Sequence, residues 1–215
     1  PVAHSFPTRR SSDLFAQAKD TAPDAPEIAA AVFKHVNELV KLCADAGVVY
    51  GHENCMNYGG LSCEHTLRLL DEVQPDSFTL IFDTANPVFS WDRRGEEPYH
   101  KQSSWDFYQA VKDHIGYVHI KDAVYVGETD GVFPKADFTF PGEGDGDVER
   151  IVADLLANGY DGGFSMEPHL AVVFHEDAAA DDPEARARVM YENYVEYGKR
   201  FMALVHRVSP AAAGA

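Results

Sequence analysis

The 215-residue chain sets 18 Lys and Arg against 35 Asp and Glu, a formal net charge of -17, with 45% hydrophobic and 25% charged residues. That length can bury one sizeable core, and so acidic a surface disfavours a nucleic-acid partner. No apolar run approaches the roughly 20 residues a membrane span needs, and no apolar stretch of signal-peptide shape follows the early basic residues, so no membrane association and a cytoplasmic location are expected.

At the N-terminus, His4 to Leu14 is similar to a translated sequencing adapter. On that reading residues 1–14 are non-native, Arg9 and Arg10 carry no function, and native sequence begins near Phe15. Residues 15–26 are polar, hold Pro23 and Pro26, and read as loop. A helix is predicted from Glu27 to Ala46, because Ile28, Val32, Val36, Leu39, Val40 and Cys43 recur at spacings of three and four. Gly47 then supplies the left-handed residue that ends a helix. A strand follows over Val48–Glu53, and Asn57 to Gly60 reads as loop. Ser62 is placed to cap a helix over Cys63–Val73, with Glu64 in its first turn. Pro75-Asp76 turns into a second strand, Phe78–Asp83.

The stretch Thr84 to Gln102 has no periodicity; Phe89 and Trp91 favour an ordered lid over disorder. Ser103 or Ser104 caps a helix reaching Lys112, with Trp105, Tyr108 and Val111 inward. A third strand is predicted over Tyr117–Lys121, then a long loop over Ala123–Asp147 with Gly142 to Gly146 as its flexible centre. A helix over Val148–Asn158 and a fourth strand over Gly163–Glu167 complete the alternation. An acidic loop leads to a final helix, Pro183–Val208, whose inner face is Val189, Tyr194, Tyr197, Phe201, Leu204 and Val205. Residues 209–215 are expected to be a disordered tail. Cys43, Cys55 and Cys63 are odd in number and lack C-x-x-C spacing, so buried, reduced thiols are expected.

Strands alternating with helices imply parallel strands joined by right-handed crossovers. Each of the four strands carries a polar residue at or near its carboxyl end: Glu53, Asp83, His119 and Glu167. Each interval between them holds one strand–loop–helix unit, so the four side chains gather at the carboxyl ends of the strands, where a parallel barrel builds its active site. Singly, each is better read as a capping or core residue; the set points to one metal ion. Three carboxylates and an imidazole are hard, oxygen-rich donors that suit Mn²⁺ or Mg²⁺, with Co²⁺ and Zn²⁺ as alternatives. Without a cation the three acids would repel one another.

Phe82 to Asn86, Tyr117 to Asp122 and Phe164 to His169, with the linking stretches Phe140 to Gly144 and Asn158 to Gly162, resemble the sugar phosphate isomerase/epimerase family, whose fold is the xylose isomerase-like TIM barrel. The resemblance runs from Val36 to Leu170. It implies an α/β fold, a partial TIM (β/α)8 barrel of about four βα units, with residues 15–208 supplying strands five to eight. It implies that Glu53, Asp83, His119 and Glu167 bind the metal and that Glu53 and Glu167 also move protons. The implied reaction is isomerisation or epimerisation of a small carbohydrate through α-proton abstraction and a metal-stabilised enediolate.

Lys121 reads as a substrate contact or as a solvated lysine. Asn86 stands where several relatives have histidine and could bind a hydroxyl; His169 and His52 flank ligand glutamates and read first as structural side chains, with support of those ligands, or for His169 contact with substrate, as the alternative. Within the family the rival is a dehydratase of cyclic polyol ketones, of the inosose or dehydroshikimate type. An apurinic endonuclease would need further histidines and a basic surface. A non-enzymatic reading also stands: a fragment that binds metal but lacks the substrate contacts of the first four strands. An assembly of identical chains is left open.

Overall fold

The computed structural model describes residues 2–4, 25–73, 77–129, 133–170 and 183–209. Most of the adapter-like stretch, the Pro75-Asp76 turn, most of the acidic loop and most of the C-terminal tail fall outside them. A short strand that the sequence does not signal, β1 (Val2–His4), precedes α1 (Pro26–Asp45). Three residues are too few to show an alternating pattern. α1 buries Ala29, Val32, Phe33, Val36 and Val40 and ends at Gly47, whose φ of 68° is the left-handed backbone foreseen there.

β2 (Val49–Glu53) leads through a single turn, Tyr58–Leu61, into α2 (Cys63–Glu72). Ser62 caps α2 by accepting from the His65 N–H at 3.2 Å. β3 (Phe78–Asp83) matches its expected limits. The anticipated lid after it contains a turn, Asn86–Phe89, and a two-stranded ribbon of β4 (Trp91–Asp92) with β5 (His100–Lys101). Gln102 Nε2 donates to the Gly60 carbonyl at 2.9 Å and the Arg93 N–H to the Leu61 carbonyl at 2.9 Å, which tie the ribbon to the turn before α2. α3 (Ser104–Val111) follows, capped by Ser103, with Phe107 buried and Trp105 only partly so.

β6 (Ile115–Ile120) carries His119. The supposed loop after it is a hairpin instead, β7 (Asp122–Gly127) against β8 (Lys135–Thr139). Nor is the glycine-rich stretch a flexible centre. The N–H groups of Gly142, Gly144 and Gly146 donate to the Asp122 carboxylate at 2.8–3.0 Å, and the Ala123 N–H adds a fourth bond at 2.9 Å. A Cβ on Gly144 would lie 2.4 Å from Asp122 Oδ1, so only glycine lets the backbone approach so closely. The cradle escapes sequence reading because its anion is a side chain 20 or more residues away. α4 (Val148–Ala157), β9 (Gly163–Met166) and α5 (Pro183–Val208) end the described fold.

β1, β2, β3, β6 and β9 form one sheet in that order, every neighbour parallel. The strand–helix units therefore follow one another along a barrel wall, and the fold is a xylose isomerase-like α/β architecture consistent with a partial barrel. Alternate side chains divide between the two faces. Leu80 and Phe82 of β3 and Val118 and Ile120 of β6 pack outward against Tyr108, Ile151, Tyr197 and Phe201 of α3, α4 and α5. A second cluster joins Tyr50 of β2 to Val32 and Val36 of α1 and Leu69 of α2. Two expected members of the α5 inner face, Val189 and Tyr194, are exposed, because the helix meets the core only from Tyr197 onward, through Phe201 and Leu204. The thiols of Cys43, Cys55 and Cys63 are free and half-buried rather than buried. No helix among the described residues is long and apolar enough to cross a membrane.

Asp122→Ala removes the acceptor of four N–H groups. It is expected to lower the unfolding free energy by about 3 kcal/mol, read as a shifted urea midpoint at unchanged slope.

Candidate metal and catalytic site

The pleat that sends Leu80, Phe82, Val118 and Ile120 toward the helices sends their neighbours Asp83 and His119 to the inner face. Asp83 pairs with His119 in register across β3 and β6, and His119 with Ser165 across β6 and β9. Glu53 is the last residue of β2, and Glu167 follows β9 with its N–H on the Ile120 carbonyl at 2.9 Å. One donor atom from each of Glu53, Asp83, His119 and Glu167 lies within 4.8 Å of all the others. The four residues singled out in the sequence therefore converge.

Asp83 and Glu53 are held from behind. The N–H groups of Ala85 and Asn86 donate to Asp83 Oδ1 at 2.9 and 2.8 Å. Asn86 Nδ2 donates to Glu53 Oε1 at 2.8 Å, so one residue tethers two acids. His119 Nδ1 lies 3.0 Å from Glu167 Oε1 and 3.5 Å from Glu53 Oε2. Lys121 is 3% exposed, which excludes the solvated alternative; its Nζ lies 2.8 Å from Asp83 Oδ2 and 3.3 Å from Glu167 Oε2.

These contacts set the protonation of the ion-free site. Burial pushes the Asp83 carboxyl up to about 6, with Lys121 opposing the rise and the neighbouring Glu53 and Glu167 adding to it. Burial also opposes charge on Glu167, but His119 and Lys121 outweigh it and hold that carboxyl down at about 2. Burial alone would lower His119; Glu167 and Glu53 instead lift it to about 10. Lys121 is likewise lifted above its ordinary value by Asp83, Glu167 and Glu53 in spite of its burial. The crowded acids thus take their positive charge from a lysine and a protonated histidine. A divalent ion fits this donor set, replacing the His119 proton as the neutralising charge.

Of the remaining candidates, Asn86 is buried, and its Oδ1 has no hydrogen-bond partner among the described residues. His169 sits at the rim, Nε2 3.9 Å from Glu167 Oε2, its ring edge-on to Phe138 at 4.8 Å; burial and Lys121 push it down to about 4. His52 is turned to the opposite face of β2, beside Tyr50 and Phe78, and does not join the site. Sequence reasoning missed the asparagines behind the acids. Asn54 Oδ1 accepts from the Asp83 N–H at 2.6 Å while its Nδ2 donates to the Asp83 carbonyl at 3.1 Å, and Asn57 Nδ2 donates to the Glu53 carbonyl at 2.8 Å. Only their position just after a strand-end glutamate could have flagged them. Thr84 was also missed; its hydroxyl donates to the Lys121 carbonyl at 2.5 Å and accepts from the Lys121 N–H at 3.1 Å.

Residues 12–191 match the sequence family described as "Xylose isomerase-like TIM barrel". The chain belongs to that family. A similar curated protein is the inosose dehydratase of Geobacillus thermodenitrificans, 33% identical over 146 residues, which cover 61% of this chain and 44% of that protein. The chain thus spans less than half the length of that relative. Among solved structures, a xylose isomerase-like TIM barrel protein from Mycobacterium smegmatis, in complex with magnesium, superposes with a TM-score of 0.56 at 18% identity, over 85% of this chain and 53% of that one. A D-psicose 3-epimerase solved in the presence of D-fructose superposes with a TM-score of 0.54 at 17% identity, over 88% and 59% of the two chains. At such identities these structures share the fold.

Calorimetric titration with Mn²⁺ is expected to show one site, lost in Glu167→Ala. Ion binding must displace the His119 proton and needs Asp83 ionised, so affinity should climb as pH rises past about 6 and level off only near about 10. Near pH 8, titrations in buffers of different ionisation enthalpy should report about one proton released per ion.

For stability of the ion-free protein the signs differ. His119, raised from 6.5, contributes fully below 6.5 and loses its contribution as pH rises through about 10. Glu167, lowered from 4.5, contributes above 4.5 and loses it as pH falls through about 2. Thermal midpoints across pH, with and without Mn²⁺, check both.

Asn86→Ala frees the Glu53 carboxylate and should weaken Mn²⁺ binding by about tenfold or more, with the fold retained by circular dichroism.

Proposed function

We propose that Glu53, Asp83, His119 and Glu167 hold one divalent ion, Mn²⁺ or Mg²⁺, and that the protein removes water from a cyclic polyhydroxy ketone, with the chain supplying the metal-binding side of the pocket. The observation that carries this reading is the position of Lys121, a buried ammonium 2.8 Å from Asp83 Oδ2 and 3.3 Å from Glu167 Oε2, within reach of a leaving hydroxyl at the same point. Abstraction of a proton next to a carbonyl needs a base alone; expelling a β-hydroxyl also needs an acid. The similarity to an inosose dehydratase supports the same choice.

When bound, a divalent ion supplies positive charge that polarises the ketone. The chain's own residues do the rest. Glu167 takes the proton from the carbon beside the carbonyl. As the carbon–carbon double bond forms and the β-carbon–oxygen bond breaks, Lys121 Nζ gives a proton to the departing hydroxyl, which leaves as water. The 3.3 Å contact from Lys121 Nζ to Glu167 Oε2 lets the abstracted proton return to the lysine, and the pair is reset. Asn86 holds Glu53 on the other side of the site throughout.

Isomerisation or epimerisation of a sugar is the second reading. Glu53 and Glu167 favour it, because they approach one point from β2 and β9 and could serve as paired bases.

The test offers an inosose and a ketohexose, each with Mn²⁺ in deuterated water, to the chain and to the chain fused behind the N-terminal half of the Geobacillus relative. The fusion is expected to dehydrate the inosose without epimerising the ketohexose, and Lys121→Met to retain α-deuterium exchange while losing water elimination. Epimer formation without elimination would replace this reading with the second.

A further inference from the structure

The site has one wall that the chemistry above does not use. The β7–β8 hairpin pairs Ala123 with Phe138 and Tyr125 with Ala136, so these four share its inner face. That face packs on Ala85, Val88 and Phe89, from the turn that follows Asp83. Phe138 is the hub, meeting Phe89 edge-to-face at 5.6 Å on one side and His169 at 4.8 Å on the other. Both partners border the charged cluster. The Phe89 ring centre lies 5.7 Å from Lys121 Nζ, and His169 Nε2 lies 3.9 Å from Glu167 Oε2. An apolar arc thus borders the ammonium through Phe89 and the Glu167 carboxylate through His169, with Phe138 between the two.

The arc is built in advance. Asp122 starts the hairpin one residue after Lys121, and the three glycine N–H groups grip its carboxylate. Asp145 Oδ2 accepts from the Tyr125 N–H at 2.9 Å and lies 3.1 Å from Lys101 Nζ, linking the hairpin to the lid ribbon. Phe138 nevertheless remains only partly buried, unlike Phe89.

A site with acids and an ammonium on one side and aromatic carbon on the other suits a ligand with the same two-sidedness. A cyclic polyol has it, since its axial C–H groups leave a flat apolar ring face while its equatorial hydroxyls reach outward from the rim to the polar groups. An open-chain polyol of equal hydroxyl count has no fixed apolar face and loses more rotational freedom when ordered. We infer that Phe138 is a specificity-determining residue, its ring forming with Phe89 and His169 the apolar wall that selects a cyclic polyol over an open-chain one. The inference rests on the proposed polyol-ketone reading and adds to it the residue that recognises the ring.

The experiment uses the Mg²⁺-loaded chain and two unreactive probes, myo-inositol and sorbitol, with binding followed by saturation-transfer NMR and calorimetry. Wild type is expected to prefer myo-inositol. Phe138→Leu should weaken myo-inositol roughly five- to tenfold while sorbitol changes less than about twofold and Mn²⁺ affinity stays at the wild-type value, which also shows that the variant is folded. Phe138→Trp, which keeps an aromatic surface, should retain the preference. Wild-type affinity for myo-inositol in Phe138→Leu would overturn the role of Phe138 and leave the proposed function standing. Binding of neither probe by the wild-type chain would overturn both.

Discussion

Three carboxylates brought within a few ångströms of one another in a buried site repel strongly unless positive charge is brought with them. In this protein the charge comes from Lys121, pressed between Asp83 and Glu167, and from His119, whose imidazole faces Glu167 and Glu53. Much of the surrounding architecture keeps those two cations in place. Thr84 clamps the Lys121 backbone on both sides, and Asp122, the next residue, is fixed by the glycine cradle. The same contacts leave the acids poised for a divalent ion, because an ion can take over the neutralising role without the strand ends moving apart.

The polar framework and the apolar core are two faces of the same strands. Leu80, Phe82, Val118 and Ile120 anchor β3 and β6 to the helices, and that burial fixes the pleat. Once the pleat is fixed, Asp83 and His119 have only the inner face left. Packing on one side therefore determines which polar groups gather on the other, and a one-residue slip in either strand would turn Asp83 or His119 into the core.

Much of this was legible in the chain itself. Periodicity located α1, α2, α4, α5 and the four main strands, and β3 matched residue for residue, because buried strands and amphipathic helices write their environment into local spacing. The recurrence of Glu53, Asp83, His119 and Glu167 at strand ends was legible for the same reason. The hairpin was not, because β7 and β8 expose Val124 and Val126 while tucking in Ala123 and Tyr125, a weak alternation that the adjoining glycines obscure. Asn54 and Asn57 escaped because their partners are backbone groups, which leave no mark on residue type. Lys121 stayed open between a substrate contact and a solvated lysine, because only its 3% exposure in the fold separates the two.

By itself, then, the sequence determined the α/β alternation, the limits of the main elements and the identity of four convergent donors, because each is a matter of local periodicity within one unit. Tertiary structure decided which charges balance the donors, what restrains Asp83 and Glu53, and that Phe138 packs between Phe89 and His169. Those depend on contacts between units whose sequence separation carries no periodic signal. Asp122 and Gly144 stand 22 residues apart with no pattern joining them, and only folding shows that one holds the other.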